Sequence, residues 1–375
     1  MNIIEVLEQK NYCFEELAEV FIELKELKNV EQNPVWHGEG NVFTHTSMVC
    51  DVLCKLNQWS SLSREKRTIL FLAAMFHDIG KKVCTKTEDE TIISPNHAVK
   101  GSRMFRELFY MKYSQEYEIS FSMREEVVNL IRFHGLPLLY MEKEPMDHYM
   151  IKAREFTDFP LLYLLAKADL LGRICDDQEE KLAVIEYFKE YSTEIGCYNQ
   201  QVSFYDDYSR FQYFQKNEGW YGDVIYDATE FTVYMMSGLP LSGKDTYIEN
   251  HLSELPVISL DTIREKLKIS PRDGSGKVVQ TAKEQAKEYL RKGISFVWNA
   301  TNITVDTRRK ISSLCQAYGA RVILIYIEVP YEELLNRNKT RERSIPIPVL
   351  NHMIRKLEVP KHTETYEVKY IIGES

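Results

Sequence analysis

Apolar residues recur at helical spacing along roughly the first 195 residues of the chain. A spacing of three to four residues between apolar positions is typical of amphipathic helices, and runs of β-branched residues, which favour strands, are few here. The pattern predicts helices at residues 2–28, 43–56, 63–76, 98–110, 123–133 and 159–171. We therefore expect an all-α first domain.

From residue 231 onward, short apolar runs alternate with helical patterns. The runs predict strands at residues 231–236, 256–260, 295–300 and 321–329, and the helical patterns lie at residues 281–292, 307–318 and 331–343. Parallel strands that helices cover on both faces read as continuous apolar runs. The second part is therefore expected to be an α/β domain with a parallel sheet, which binds ligands beyond the carboxyl ends of its strands.

The segment between these two patterns is polar and aromatic with little periodicity. Flexible linkers contain few aromatic residues, so we expect this segment to pack between domains, although its rings could also stack on bases. The predicted boundaries are 1–196 for the first domain, 197–230 for an aromatic connector and 231–375 for the second domain.

The net charge of −9 is unevenly distributed along the 375 residues. Residues 231–375 contain 22 Lys and Arg against 17 Asp and Glu, a balance of +5, and the rest of the chain has a balance of −14. The second domain can therefore favour an anionic polymer, while the first repels one in bulk. Metal ions could still neutralise a phosphate site in the acidic domain.

Two further features indicate the compartment. No run of 18 apolar residues is present, so we expect no membrane span. The amino-terminal sequence is acidic and lacks a signal-peptide pattern, and the seven cysteines are scattered without a C-x-x-C pair. These observations predict a cytoplasmic protein with free thiols.

A glycine-rich stretch follows the first predicted strand of the second domain. It has the form G-x-x-x-x-G-K between a strand and a helix, where backbone N–H groups can surround phosphate oxygens. The pattern usually has Ser or Thr after the Lys to hold Mg²⁺, but here Asp245 precedes Thr246, and either side chain could serve the metal. The candidate nucleotide-binding residues are Gly238, Leu239, Ser242, Gly243, Lys244, Asp245 and Thr246.

Charged residues follow other strands of this domain. Asp261 comes after a predicted strand, where a carboxylate can accept a proton from an incoming hydroxyl or can cap the next helix. Arg264 is three residues further on and could hold a phosphate of the acceptor. Arg337 and Arg341 are four residues apart, so they would share one face of a helix and could bind the nucleotide phosphates as a lid. A charge-rich helix can also be a solvated surface.

The first domain contains histidines and aspartates near the ends of its predicted helices. Imidazole and carboxylate are ligands for Mn²⁺, Fe²⁺, Co²⁺, Ni²⁺ or Zn²⁺, and helix ends from different parts of the chain can converge on one point. Each residue alone is a weak indication, but six in this order are far more specific. The candidate metal ligands are His45, His77, Asp78, His97, His134 and Asp169.

At these residues the chain resembles the HD phosphohydrolase superfamily. Phe76-His77-Asp78-Ile79-Gly80-Lys81 is similar to the central motif of that superfamily, and the stretch from residue 33 to 46 resembles the HD domain of bacterial CCA-adding enzymes. The resemblance implies that Asp78 bridges two metal ions and that the other five candidates complete the ligand set. Lys81 would balance phosphate charge or be an exposed helix residue. His37 is interpreted as a loop histidine rather than a substrate contact.

The second domain resembles 5′-OH polynucleotide kinases in its phosphate loop, its Leu-Asp-x-x-Arg and its Arg-Asn-x-x-Arg. The resemblance implies that Lys244 with Asp245 or Thr246 binds ATP-Mg²⁺ and that Asp261 is the general base. Leu241, where many members have Gly, is a departure. Asn299 and Asn302 lie at a related strand end and are given no role.

Together the two halves resemble bacterial HD-domain polynucleotide kinases. This implies a bifunctional enzyme that heals RNA or DNA ends. It would use ATP or another NTP with Mg²⁺ and would carry one or two transition metals. A separate RNA ligase is a candidate partner. Two alternatives remain: an HD nucleotidase fused to a nucleoside or metabolite kinase, which the acidic first domain favours, and a ligand-sensing HD domain that regulates a P-loop ATPase.

Overall fold

The computed structural model describes residues 1–216, 219–270, 273–274, 276–341 and 344–373. The chain divides into two compact units, Met1–Val202 and Ser203–Ser375. The first unit consists mainly of helices, and the second is an α/β unit with a parallel sheet. The fold class predicted from the hydrophobic pattern is thus confirmed. None of the described helices combines the length and apolar character needed to cross a bilayer.

The first unit is built from helices joined by short turns. Its α-helices are α1 Ile3–Gln9, α2 Phe14–Val20, α3 Val42–Lys55, α4 Arg64–Phe76, α5 Lys81–Cys84, α6 His97–Glu107, α7 Phe121–Phe133, α8 Leu136–Leu139, α9 Met146–Arg154, α10 Phe159–Leu171 and α11 Gln178–Glu194. Short 3₁₀ helices cover Ile22–Asn29, Trp59–Ser61, Tyr113–Gln115 and Tyr140–Glu142, and a π-helical turn covers Leu108–Lys112.

Two features of this unit differ from the prediction. The single helix expected at residues 2–28 is three shorter pieces. Asn11 and Tyr12 have φ of 48° and 54°, so the chain turns there, and Phe21 has a non-helical backbone with φ −100° and ψ 78°. The pattern also failed to indicate an antiparallel hairpin of β1 Lys86–Glu88 and β2 Thr91–Ile93. Both strands are short and mostly exposed, so they lack the apolar alternation that identifies a strand.

Local capping defines where the central helices begin. Asn41 accepts a hydrogen bond from the backbone N–H of Thr44, and Asp158 accepts one from Leu161. Ser63 and Ser120 cap α4 and α7 in the same way. Asn, Asp and Ser are the residues that satisfy the free N–H groups of a first helical turn best.

The central helices pack closely on one another. α4 contacts α3, α7 and α10, and α3 also contacts α10. Both α4 and α10 are buried over most of their length, which explains their nearly continuous apolar sequences. Because these helices converge, the polar residues at their ends can meet.

The second unit has a five-stranded parallel sheet in the order β4-β5-β3-β6-β7. Its elements are α12 Asp207–Gln215, β3 Phe231–Ser237, α13 Lys244–His251, β4 Val257–Ser259, α14 Leu260–Lys266, α15 Gly276–Arg291, β5 Phe296–Asn299, α16 Val305–Gln316, β6 Ala320–Glu328, α17 Tyr331–Thr340, α18 Ile347–Lys356 and β7 Glu367–Ile372. An apolar cluster of Met236, Val297, Ile323, Ile325 and Ile327 from three strands packs against Ile248 of α13. This packing fixes α13 against the sheet.

One expected helix in this unit ends early. α17 stops at Thr340, and Arg341 follows with an extended backbone, φ −78° and ψ 135°. The Asn338 amide donates to the Ile345 carbonyl and accepts from the Ile345 N–H, both at 2.8 Å, so the chain turns back. The expectation that Arg337 and Arg341 share one helix face is therefore wrong. Arg343, expected on the same helix, lies outside the described residues.

The expected connector is mostly part of the second unit. It includes α12, which the pattern did not indicate, and Arg210 of this helix donates to the Tyr366 carbonyl at 2.8 Å. Further along, Asp227 accepts hydrogen bonds from Arg321 at 2.8 Å and from the Tyr366 hydroxyl at 2.6 Å. These residues therefore pack against β6 and against Tyr366, which directly precedes β7.

Candidate functional site

The six predicted metal ligands of the first unit lie together in its interior. His45 is in the first turn of α3, His77 and Asp78 follow α4, and Asp169 is in the last turn of α10. His97 begins α6 and His134 follows α7. All are buried except His97, which is partly exposed.

The ligand atoms form two adjacent groups, and each group lies within 4.8 Å. One consists of His45, His77 and Asp169, and the other of Asp78, His97 and His134. Asp78 faces both: its Oδ2 is 3.3 Å from His77 Nε2, and its Oδ1 is 3.4 Å from His97 Nε2. A carboxylate between two groups has the position that a bridging ligand needs.

Three of the histidines have the same orientation. Their Nδ1 atoms donate to backbone carbonyls three residues earlier, each at 2.8 Å: His77 to Ala74, His97 to Ser94 and His134 to Ile131. Each Nε2 is then left with a lone pair directed into the centre. Backbone carbonyls that fix the tautomer in this way are a common second-shell feature of histidine ligands.

Glu39 lies beside the fourth histidine. Its side chain is 1% exposed, and Oε1 lies 2.9 Å from His45 Nδ1 and 2.8 Å from His37 Nδ1. The other oxygen accepts from the Ile174 N–H at 2.9 Å. His37 lies in a loop, as expected, but it is buried, and burial lowers its pKa to about 4. The sequence interpretation missed Glu39, although it lies in the stretch that carried the resemblance.

Two cations are paired with the aspartates of the centre. Lys81 Nζ lies 2.7 Å from Asp78 Oδ2 and 2.6 Å from Gln32 Oε1 and is buried, so the alternative of an exposed helix lysine is wrong. Arg173 donates to both oxygens of Asp169, at 3.1 and 2.5 Å. The sequence interpretation missed Arg173, which its four-residue spacing from Asp169 could have indicated.

The local charges determine the protonation of the centre. Burial raises the pKa of Asp78, but Lys81 and His77 outweigh it, and the pKa lies well below its usual value. Arg173 has the same effect on Asp169. Burial and the neighbouring histidines lower the pKa of His134 to about 3. Both carboxylates are therefore ionised and His134 is neutral, which are the forms that bind metal.

The donor set of this centre fits divalent transition metals. His77 Nε2 and Asp78 Oδ1 are buried without a hydrogen-bond partner among the described residues. The Nε2 atoms of His97 and His134 are 3.3 Å apart, where a cation would relieve the repulsion between two lone pairs. Nitrogen and carboxylate donors suit Mn²⁺, Fe²⁺, Co²⁺, Ni²⁺ or Zn²⁺. These residues can hold one or two such ions.

The glycine-rich loop of the second unit connects β3 to α13 as predicted. Gly238 has φ +148°, and an added Cβ would lie 2.4 Å from the Ile327 carbonyl oxygen. Gly243 has φ +99°. Leu241 has φ 69°, a region that glycine occupies without strain, which explains why glycine suits this position better. The loop thus has the tight backbone that phosphate binding requires.

Lys244 folds over the loop. Its Nζ donates to the carbonyls of Gly238 at 3.1 Å and Leu239 at 2.7 Å. Burial lowers its pKa to about 8, although the charges of Asp245 and Asp261 act in the opposite direction. Its Nζ also donates to the Ser242 hydroxyl at 3.5 Å. A lysine held by neutral oxygens of the loop is in position to exchange them for phosphate oxygens.

Asp261 and Arg264 lie on α14 at the end of β4. The helix is capped by Ser259, which accepts from the Thr262 N–H at 3.3 Å, so the interpretation of Asp261 as the helix cap is wrong. Asp261 is exposed, and its charge acts on Lys244. Arg264 is on the same helix and partly buried.

The two arginines at the end of α17 have different positions. Arg337 donates to the Leu241 carbonyl at 3.0 Å and to Glu333 at 2.7 Å, so it contacts the loop directly. Arg341 is exposed, and its charge lowers the pKa of Lys244. Both cations are therefore near the loop, although they do not share a helix face.

Comparison with known proteins agrees with this geometry. Residues 42–171 match the HD domain family, and residues 233–360 match the AAA domain family AAA_33. The chain joins an HD domain to a P-loop kinase-like domain. A curated relative, an L-seryl-tRNA(Sec) kinase from Methanococcus maripaludis, is 25% identical over 134 residues, which cover 34% of this chain and 52% of the relative. The chain thus spans about half the length of the curated relative that it matches.

Two solved structures are also similar to part of this chain. One is described as a kinase from Chloroflexus aurantiacus and is 19% identical in sequence. The match covers 39% of this chain and 86% of that chain, with a TM-score of 0.33. The other is described as a sugar kinase from Janibacter sp. HTCC2649, with 18% identity, 38% and 85% coverage, and a TM-score of 0.30.

Proposed function

We propose that this HD–kinase chain heals broken RNA ends. The kinase domain would phosphorylate 5′-OH ends with ATP or another NTP, and the HD domain would hydrolyse 2′,3′-cyclic phosphate and 2′-phosphate ends. The observation that supports the proposal is that one chain combines a buried histidine–carboxylate centre with a phosphate loop whose lysine lies near the exposed carboxylate of Asp261.

The HD centre has the residues that phosphate hydrolysis needs. A divalent ion bound there supplies a Lewis acid and lowers the pKa of water towards neutrality. Asp78 and Asp169 are ionised and oriented by Lys81 and Arg173. The same two cations would limit repulsion of a phosphate as it approaches the two carboxylates. A complete ligand set favours catalysis over ligand sensing.

The kinase site has groups for transfer to a hydroxyl. Lys244 and Arg337 would bind the nucleotide phosphates and offset the charge that develops during transfer. Asp261 would orient the acceptor hydroxyl and take its proton. Arg264 would hold a phosphate of the acceptor, and Arg341 would approach the nucleotide from the segment after α17. The name of the relative, a kinase for a seryl group on tRNA, supports an acceptor attached to RNA.

The two activities are chemically complementary. Ribonucleases of one class leave a 2′,3′-cyclic phosphate on one fragment and a 5′-OH on the other, and a ligase needs a 5′-phosphate. The combination makes both ends of a break ready for joining, so a separate RNA ligase is the partner that this chemistry requires. DNA 5′-OH ends are an alternative acceptor.

An oligonucleotide assay tests the proposal. The full chain is given an RNA with a 5′-OH and a 2′,3′-cyclic phosphate, labelled ATP, Mg²⁺, and Mn²⁺, Ni²⁺ or Co²⁺ in separate reactions, and both ends are followed. We expect phosphorylation of the 5′ end and opening or removal of the cyclic phosphate. Phosphorylation of nucleosides but not of oligonucleotides would refute the RNA assignment.

A second candidate is an HD nucleotidase fused to a nucleoside or metabolite kinase. The balance of −14 over residues 1–230 favours it, because an acidic domain repels a long anionic polymer more than a nucleotide. Competition with unlabelled nucleosides and nucleoside monophosphates in the same assay distinguishes the two candidates. We expect these small molecules to compete poorly with the oligonucleotide.

A further inference from the structure

The residue after the P-loop lysine departs from the usual pattern, and the structure shows what it contacts. Asn299 Nδ2 donates to Asp245 Oδ1 at 2.6 Å. Asn299 is the last residue of β5, and β5 pairs with the P-loop strand β3 through Met235 and Trp298. The contact therefore joins the start of α13 to the end of the neighbouring strand.

In P-loop NTPases, magnesium is held by a Ser or Thr hydroxyl after the lysine and by an Asp at a strand end. Here the carboxylate belongs to the helix, and the strand end carries a neutral amide. The pair still supplies one acidic and one neutral oxygen-bearing side chain, but their positions are exchanged.

The surroundings of Asp245 leave it available for a cation. Asp245 is exposed, whereas Asn299 is 8% exposed, so the amide is fixed and holds one carboxylate oxygen in place. Within the described ranges, no hydrogen bond reaches the second oxygen, Oδ2. Lys244 does not neutralise the carboxylate directly, since its Nζ is bonded to loop carbonyls.

Thr246 is in a different position. Successive residues of an α-helix are about 100° apart around the axis, so Thr246 cannot face the end of β5 in the way that Asp245 does. The contact with Asn299 identifies the side chain that turns towards the sheet edge, where a nucleotide's β- and γ-phosphates would lie.

We propose that Asp245 is the protein ligand to the magnesium ion of the bound nucleotide and that Asn299 orients it. This assignment rests on the proposed kinase function but not on the identity of the acceptor. An anionic carboxylate beside the phosphates repels the nucleotide when no cation is present. Nucleotide binding by this chain therefore depends strongly on Mg²⁺.

The test measures ATP binding without any acceptor. The dissociation constant of ATP is measured by calorimetry for the full chain, with saturating Mg²⁺ and with EDTA. The ratio of the two constants is the coupling factor between ion and nucleotide, and we expect about 100-fold for the wild type, within the usual range for such couplings. Asp245→Asn should bind Mg²⁺-free ATP more tightly than the wild type and lower the factor to about 10-fold or less.

An exchange of the two side chains provides the stronger test. Asp245→Ser alone should lose most of the coupling, and the double variant Asp245→Ser with Asn299→Asp should regain it, because it restores the usual arrangement of hydroxyl and carboxylate. Glu249→Gln is the matched control, since Glu249 is an exposed carboxylate one turn further along α13. It should leave the factor unchanged.

Two results would overturn the assignment. One is a wild-type coupling factor in Asp245→Asn protein whose thermal unfolding is normal. The other is loss of coupling in Thr246→Ala together with its retention in Asp245→Asn. Either result leaves the oligonucleotide assay unaffected, so a wrong metal ligand can be told apart from a wrong acceptor.

Discussion

Glu39 is predicted to control the metal affinity of the HD centre without being a ligand itself. Its Oε1 lies 2.9 Å from His45 Nδ1, and its Oε2 accepts from the Ile174 N–H. Glu39→Gln keeps the shape of the side chain but replaces one oxygen with an N–H₂ donor. Either His45 or the Ile174 N–H then faces a donor instead of an acceptor.

The magnitude follows from the role of such contacts. Removal of a carboxylate that orients a histidine ligand typically costs 10–100-fold in metal affinity, which corresponds to about 1.4–2.8 kcal/mol. Glu39→Ala should reach the upper end, because it also leaves His37 Nδ1 without its acceptor in a buried site. The number of ions bound at saturation should not change.

The assay is a Mn²⁺ titration of chelator-treated full chain against a competing indicator. Far-UV circular dichroism of the same samples reports on the folding of the helical first unit, and we expect the wild-type spectrum. Glu142→Gln, which changes an exposed carboxylate of the first unit, is the control. A Mn²⁺ affinity in Glu39→Gln within a factor of two of this control would refute the reasoning.

Three further predictions follow from the same contacts. His77→Ala or Asp78→Ala should abolish phosphohydrolysis and leave kinase activity unchanged. Lys244→Ala should abolish kinase activity and leave phosphohydrolysis unchanged. Loss of both activities from any one change would mean that the domains are not independent. Gly238→Ala should weaken ATP binding and destabilise the second unit by about 1–3 kcal/mol, because the added Cβ would lie 2.4 Å from the Ile327 carbonyl oxygen. Calorimetry measures both the ATP affinity and the unfolding of this variant. Gly274→Ala is the control, because a Cβ added there meets open space. Burial raises the pKa of Asp227, but hydrogen bonds from Thr229 and Tyr366 outweigh it and lower the pKa overall. Its stabilising contribution is therefore present above the unfolded pKa of about 3.9 and is lost as the pH falls through the lower folded value. Asp227→Asn should flatten the decrease of the unfolding temperature with falling pH. An unchanged dependence of the unfolding temperature on pH would contradict this.

Several elements could be predicted from the sequence because their signals are local. The helix at residues 159–171 has continuous apolar residues, an Asp cap and a Pro in its first turn, and its observed bounds are the predicted ones. The strand–loop–helix around Gly238 and Lys244 was equally clear, because its glycines and lysine lie within a few residues of one another. Local patterns did not indicate the turn after Thr340, since it depends on the Asn338 side chain meeting Ile345.

The candidate sites show the same division between local and long-range information. The ligand candidates were found because histidine and aspartate are chemically distinctive, whereas Glu39 and Arg173 were missed because most glutamates and arginines are surface residues. Their roles become visible only when the distances to His45 and Asp169 are known.

The sequence by itself determined the fold class, the candidate metal ligands of the first domain and the phosphate loop of the second, because periodicity and residue chemistry are properties of short stretches. The tertiary structure decided which side chains meet. It divided the six candidates into two groups around Asp78, buried Lys81 against the centre, separated Arg341 from the face of Arg337, and joined Asp245 to Asn299 across 54 positions of the chain. Contacts over such separations depend on how helices and strands pack, and no local pattern records that packing.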